Sequence, residues 1–306
     1  MTIVTAATEK QRRDTSLKNM LKKLNDATIP VPDWKFELRA SGIPICQWQA
    51  CLSKVYEKVP EERPPEQFSF RFDFYVSMGS TAHLVYQRWL GRLGYLYGDF
   101  ECVDCKHIVR GHLGWPKACP TKGCTVNQWN YIELKLHNVI KDSNLRSAHC
   151  DGLIRFPWME ENHYYLVDFK TCSIATLPDP KTRFTSEYHQ KYLTQTGFYH
   201  YLLEKKGFKI DATLFIMVPR DNPAKATIIS YNQASMAERM YKAVMEEYAQ
   251  AQEAAVTGDL STIVKACHTQ HDRPECPFND LCFAKDATKE LNKLFMKVHG
   301  RLPILE

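Results

Sequence analysis

No stretch of this 306-residue chain approaches the ~18 consecutive apolar residues that a membrane-spanning helix requires, so no membrane partner is expected. The N-terminal run meets Glu9 and Lys10 before it could form the apolar segment of a secretory signal. The chain is therefore read as cytoplasmic. Only 13 glycines and 16 prolines are present, too few for a fibrous or linker-dominated sequence, and no repeat or low-complexity tract interrupts it. A dominant charge is also missing, because 40 basic against 35 acidic residues leave a net charge of only +5. That balance permits a nucleic-acid partner without arguing for one. With 44% apolar and 25% charged residues, the composition is that of a globular protein of one large or two modest domains with a sizeable core.

Cysteine, by contrast, is plentiful. Eleven thiols in a chain without a secretory signal point to metal binding or redox chemistry rather than to disulfides. Cys102 and Cys105 form a C-x2-C pair, and thirteen residues later Cys119 and Cys124 form a C-x4-C pair. Two such loops close a tetrahedral site of the zinc-ribbon kind, in which Zn2+ is structural because four protein ligands leave no open position. His107 and His112 lie inside the loop as substitute ligands. A second set, Cys267, Cys276 and Cys282, is one ligand short, and Cys46 or Cys51 near the other end of the chain would supply it. Zinc and a [4Fe-4S] cluster both suit such a set, and spacing does not choose between them.

Apolar periodicity predicts helices over residues 14–25, 80–97, 186–206 and 235–256, the second with Ala82, Val85, Trp89, Leu93 and Leu96 as its packed stripe and Gly98 as its stop. Alternation predicts strands over 149–156, 163–170, 212–218 and 226–231. The proline-rich stretches 28–34 and 60–65 read as loops. The expected class is α/β or α+β, a mixed central sheet flanked by helices. Composition shifts divide the chain into an N-terminal helical segment 1–40, a first core part 41–99, a zinc-ribbon insertion 100–126, a core 127–232 and C-terminal helices 233–306.

The segment 163–170 also carries chemistry. On a strand, residues two apart share a face, so Asp168 and Lys170 point into one space, and a hairpin would bring Asp151 beside them. Two carboxylates and a lysine are what a magnesium-dependent phosphodiesterase needs: hard-cation ligands, and a charge that balances the phosphate. The triplet Asp/Glu-x-Lys occurs six times, at Asp33, Asp104, Glu133, Asp168, Asp179 and Glu204. Only Asp168 has a strand, a polar face and a second aspartate one hairpin earlier, with Glu133 and Lys135 as the serious competitor.

Gly79-Ser-Thr-Ala-His83, Asp151-Gly-Leu-Ile, Asp168-Phe-Lys170-Thr and Gln195-Thr-Gly-Phe-Tyr199, in this order, resemble the RecB-like branch of the PD-(D/E)XK nucleases from about residue 41 to 282. The resemblance implies a restriction-endonuclease-like core. It implies His83, Asp151, Asp168 and the Phe169 carbonyl as ligands of Mg2+ or Mn2+, Lys170 as catalytic lysine, and Gln195 and Tyr199 as residues that position the DNA strand. A sub-branch that includes CRISPR-associated exonucleases carries one N-terminal cysteine and a C-terminal triplet holding a [4Fe-4S] cluster, and Cys46 with Cys267, Cys276 and Cys282 is similar to it. The family often has a glutamate one turn after the histidine, where this chain has Gln87, and eight residues separate Cys267 from Cys276. The implied function is DNA end processing in recombination or repair, with DNA and a helicase or recombination protein as partners and a homo-oligomer as one assembly. The competing reading is a non-catalytic DNA-binding accessory protein on the same fold.

Overall fold

The computed structural model describes residues 18–20, 22–23, 28–31, 46–64, 66–136, 139–140, 148–179, 184, 187–265 and 276–305. The expected helix over 14–25 lies largely outside them, although 18–20 and 22–23 are helical. Cys267 also lies outside them.

A seven-stranded mixed sheet forms the centre. Its long strands are β3 (Leu96–Cys102), β9 (His163–Cys172) and β10 (Lys209–Pro219). The shorter ones are β4 (Ile108–Leu113), β5 (Trp129–Ile132), β8 (Gly152–Ile154) and β11 (Thr227–Tyr231). The order is β11-β10-β9-β8-β3-β4, with β5 also on β3. Strands β8 and β9 pair antiparallel, Gly152 opposite Val167, which is the hairpin expected to bring Asp151 to Asp168. Strands β9 and β10 run parallel, joined through a crossover helix (Glu187–Lys205). Outside this sheet, β6 (Leu134–Lys135) pairs with β7 (His149–Cys150).

The helices are α1 (Gln47–Tyr56), α2 (Phe70–Arg92), α3 (Glu187–Lys205), α4 (Ala234–Thr257), α5 (Asn279–Phe283) and α6 (Ala287–His299). Helix α3 lies against β9 and β10 through Phe198, Tyr199, Leu202 and Leu203, with Tyr241 and Val244 of α4 behind them. The parallel pair is thus covered by helices, as buried parallel strands require. On the other face, Tyr86 and Leu90 of α2 pack over Val167 and Phe169. A separate core joins the two ends of the described chain: Trp48, Leu52 and Val55 of α1 pack with Ala251 and Ala254 of α4 and Leu291, Leu294 and Phe295 of α6.

Three expectations are corrected. Residues Thr28–Val31 are not a loop but strand β1, paired antiparallel with β2 (Glu66–Ser69). A two-stranded ribbon has only edges, where a proline such as Pro30 removes no central ladder bond. The stretch 60–65 contains a 3-10 turn, Pro60–Glu62. The helix expected over 80–97 instead spans Phe70–Arg92 and stops at Gly94, which adopts a left-handed φ of 81° while Tyr95 N–H reaches back to the Leu90 carbonyl. Gly98 lies within β3, and Leu96 belongs to that strand. The expected stripe is also inverted, since Val85, Trp89 and Leu93 are exposed while Gln87 is 3% exposed. The inner face of α2 is mixed: Tyr86 and Leu90 pack on the sheet, while His83 and Gln87 look onto the site.

Candidate active site

The sheet places the four sequence motifs at one spot. Asp151 precedes β8, and its Oδ2 accepts the Phe169 backbone N–H at 2.7 Å, tying the start of one strand to the middle of the next. Asp168 and Lys170 share a face of β9, and the ammonium donates to Asp168 Oδ1 at 2.9 Å and to Gln195 Oε1 of α3 at 3.2 Å. Nζ also stands 2.8 Å from Asp168 Oδ2, but that buried oxygen receives no hydrogen bond of acceptable geometry. Gln195 Nε2 in turn donates to the Tyr199 hydroxyl at 3.4 Å, one helical turn on.

His83 comes from α2. Its Nε2 lies 2.9 Å from the Phe169 carbonyl, which only accepts, so Nε2 carries the hydrogen. Nδ1 then faces Asp151 Oδ2 at 3.6 Å. The third member of this set was expected only as a competing motif: a Glu133 carboxylate oxygen, an Asp151 oxygen and a His83 ring nitrogen lie within 4.8 Å of one another, close enough to share one cation. Asp168 is outside that trio, beside it, with its carboxylate on Lys170. Gln87 donates to Glu133 Oε1 at 3.2 Å and to the Asp151 carbonyl at 2.8 Å. An amide there orients Glu133, which brings the carboxylate from β5 instead of from the helix.

Burial dominates the electrostatics. Loss of hydration pushes the Asp151 carboxyl above its ordinary value, against the pull of His83 and Lys170. Burial lifts Asp168 to about 6, while Lys170 pulls it down and Asp151 pushes it further up. Burial and then these two carboxylates hold the Tyr199 phenol far above its usual range, so its hydroxyl stays protonated. Cys150, fully buried next to Asp151, is likewise pushed up by burial and packs as a small apolar residue. The donor set of one imidazole and hard carboxylate oxygens, with an unsatisfied Asp168 oxygen alongside, fits a divalent oxygen-seeking cation.

One support was not visible in the sequence. Gln233 is 1% exposed and accepts from Thr196 of α3 and Thr213 of β10, both at 2.8 Å, while its amide donates to the Leu193 carbonyl at 2.7 Å. This buried network pins the helix that carries Gln195 and Tyr199.

The two cysteine sets differ in geometry. Cys102, Cys105, Cys119 and Cys124 gather within 4.8 Å. Their sulfurs approach at 3.7 Å for Cys102 and Cys124 and 3.4 Å for Cys105 and Cys119. A tetrahedron of thiolates around one ion at ~2.3 Å has edges of ~3.8 Å, so this set fits a single zinc. The thiols of the set titrate unevenly: the Thr121 hydroxyl and then the His107 backbone hold Cys105 down at about 6, while, against the Val126 backbone, burial and the neighbouring thiols push Cys124 up to about 12. His107 and His112 are outside the group, and His112 Nδ1 donates to the Gly114 carbonyl instead.

At the chain ends, Cys46, Cys276 and Cys282 line one recess of about 350 Å³, solvent-open part included, with Lys265 and Phe278. Cys51 faces the core with no exposed surface, and burial pushes its thiol up to about 12. Among the described residues these terminal sulfurs do not gather within single-ion distance as the other four do. Among the described residues, no helix is long and apolar enough to cross a membrane. No protein-family model matches the chain, and no curated protein matches it either.

Proposed function

We propose that this chain is a Mg2+- or Mn2+-dependent deoxyribonuclease with a RecB-like PD-(D/E)XK core, acting as an exonuclease in DNA recombination or repair. The observation that carries the reading is Lys170, held between buried Asp168 and Gln195, beside the trio of His83, Glu133 and Asp151. A lysine next to several buried carboxylates is costly for a fold and useful for phosphodiester hydrolysis. His83, Glu133 and Asp151 would hold the cation, with Asp168 Oδ2, which the Lys170 ammonium faces at 2.8 Å, and the Phe169 carbonyl at hand. Bound there, it supplies a polarised phosphate and a more acidic water. Lys170 presents its ammonium to the phosphate, with Asp168 and Gln195 fixing its direction. Gln195 and the protonated Tyr199 hydroxyl provide neutral hydrogen bonds for the DNA strand.

Two further centres belong to this reading. Cys102, Cys105, Cys119 and Cys124 hold a structural Zn2+, and Cys46, Cys276 and Cys282, with Cys267, hold a [4Fe-4S] cluster that fastens the chain ends. A helicase or recombination protein is the expected partner.

The test is degradation of linear single- and double-stranded DNA by the purified chain with Mg2+ or Mn2+, beside Asp168→Asn and Lys170→Ala. The expected result is cation-dependent loss of DNA that both variants lack. If the wild type and both variants are equally inert with either cation while DNA binding persists, the enzyme reading fails and the DNA-binding accessory reading takes its place.

A further inference from the structure

We infer that the four-cysteine loop is a brace for the metal-binding half of the site, seating His83 through α2 and Glu133 through β5, with Trp115 as the positioning residue. The inference rests on the proposed metal role of His83, Glu133 and Asp151.

One arm runs through the sheet. Strand β3 ends at Cys102, the first of the four thiols, which stands opposite Trp129 at the start of β5, and Asp99 stands opposite Ile132 at its end. Glu133 is the next residue, so its place is set by the register of β5 on β3. The loop locks that register at both sides: Val103 N–H donates to the Gln128 carbonyl at 3.1 Å, and the Trp129 indole donates to the Pro116 carbonyl at 3.1 Å.

The other arm grips the end of the histidine helix. Trp115 N–H donates to the Gly91 carbonyl at 2.8 Å and Gly114 N–H to the Leu96 carbonyl at 2.7 Å. The contact is so close that a Cβ on Gly91 would stand 2.6 Å from the Trp115 ring, and one on Gly114 2.5 Å from the Gly94 Cα. The Arg92 guanidinium lies over the same ring at 4.8 Å. Gly91 is eight residues from His83, about 12 Å along a helix at ~1.5 Å per residue, so tilting this end displaces the imidazole.

Asp168 and Lys170 are held differently, on β9 between β8 and β10, one strand further from the loop than β8, which also pairs with β3. Leu90, Trp115, Cys119, Cys124 and Trp129 share one small apolar cluster, and four thiolates on one ion are what close it. Opening that closure releases His83 and Glu133 while leaving the lysine hairpin in place.

The test uses the full chain with the paired change Cys105→Ser/Cys119→Ser, and separately Trp115→Ala and Trp115→Phe. Mn2+ binding is followed by electron paramagnetic resonance, and amide hydrogen exchange is read over residues 88–96, 129–135 and 164–170. The expected result for the zinc-free pair and for Trp115→Ala is Mn2+ affinity lower by about tenfold or more, the scale seen when supports of metal ligands are removed. Exchange should quicken over 88–96 and 129–135 and stay unchanged over 164–170. Trp115→Phe should behave as wild type, because the buried indole N–H has no hydrogen-bond partner among the described residues. Unchanged Mn2+ affinity in the zinc-free pair, equal quickening in all three segments, or Trp115→Phe as impaired as Trp115→Ala would each overturn the brace. A wild-type chain that takes up no Mn2+ overturns the metal reading, and the inference with it.

Discussion

Asp151 Oδ2 takes the Phe169 backbone N–H at 2.7 Å and stands 3.6 Å from His83 Nδ1, so a single carboxylate links the β8 and β9 hairpin to the helix on its other side. Asp151 is thereby both a fastener and a buried charge. The two roles oppose each other in stability, and they can be separated.

Replacing Asp151 by Asn keeps an acceptor for Phe169 N–H and removes the charge. In wild type, burial raises this carboxyl above its ordinary 3.8, so the folded chain binds a proton that the unfolded chain has released. Metal-free stability therefore falls as pH rises from 3.8 through the raised folded value, and is constant above it. Asp151→Asn should match wild type near pH 3.8 in chelator and gain on the order of 1 kcal/mol, a few degrees of Tm, at pH 8. Added Mn2+ should stabilise wild type and not the variant. Thermal melts across pH check both. A gap that narrows as pH rises contradicts the assignment.

Lys170 separates ionic support from catalysis. Lys170→Ala leaves the buried Asp168 carboxylate without its cation, so cleavage should drop by about 100-fold or more, the scale of losing a charge-stabilising donor. Metal-free stability should drop too, since an uncompensated buried charge is costly. Adding Asp168→Asn should recover the stability and none of the activity. Single-turnover cleavage rates and denaturant midpoints of the wild type and the two variants decide the matter.

The lysine hairpin was legible because every cue that places it is local. Period-two alternation over 163–170 and a short connection back to Asp151 define two adjacent strands without any distant contact, and Gln195 and Tyr199 of the α3 motif lie one helical turn apart. Glu133 was recognised as an Asp/Glu-x-Lys triplet yet not as a partner of His83, because its position depends on β5 pairing with β3, some thirty residues away in sequence. The stripe on α2 misled for another reason. Apolar periodicity finds the buried face of a helix only when burial is mostly apolar, and here the inward residues include His83 and Gln87 beside Tyr86 and Leu90, leaving Val85, Trp89 and Leu93 outside. The short strand Thr28–Val31 was hidden by Pro30, whose cost vanishes on an edge.

Gln87 offers a direct test of how Glu133 is oriented. Gln87→Glu would put a second glutamate next to Glu133, whose carboxylate lies 3.2 Å from the present amide, at a position 3% exposed. Two carboxylates at that distance, one buried and one half-buried, repel unless a cation lies between them. The variant should be less stable than wild type in chelator, by about 1–3 kcal/mol, as for other unpaired buried charges. With Mn2+ the difference should shrink or reverse. Gln87→Leu should instead lose metal affinity and also about 1–3 kcal/mol of stability in chelator, because the Asp151 carbonyl loses its donor, a deficit that Mn2+ should widen. Paired melts with and without Mn2+ separate these outcomes.

The terminal cysteines are distinguished by where their sulfurs point. Cys46 caps the start of α1 and lines the recess with Cys276 and Cys282, whereas Cys51, one turn on, is sealed in the core between α1, α4 and α6. After anaerobic purification, Cys46→Ser and Cys282→Ser should each lose the visible iron-sulfur absorbance and the bound iron. Cys51→Ser should keep both and lose only packing, by about 1–3 kcal/mol, because a hydroxyl is buried where a thiol packed as a small apolar group. Zinc content should stay at one per chain in all three, since the Cys102 set is separate, and fall only when Cys105 or Cys119 is changed. Iron retained in Cys46→Ser and lost in Cys51→Ser would reverse the assignment. Colourless wild type with two zinc ions per chain would make the recess a second zinc site, for which its sulfurs would have to close to the ~3.8 Å edges of the first.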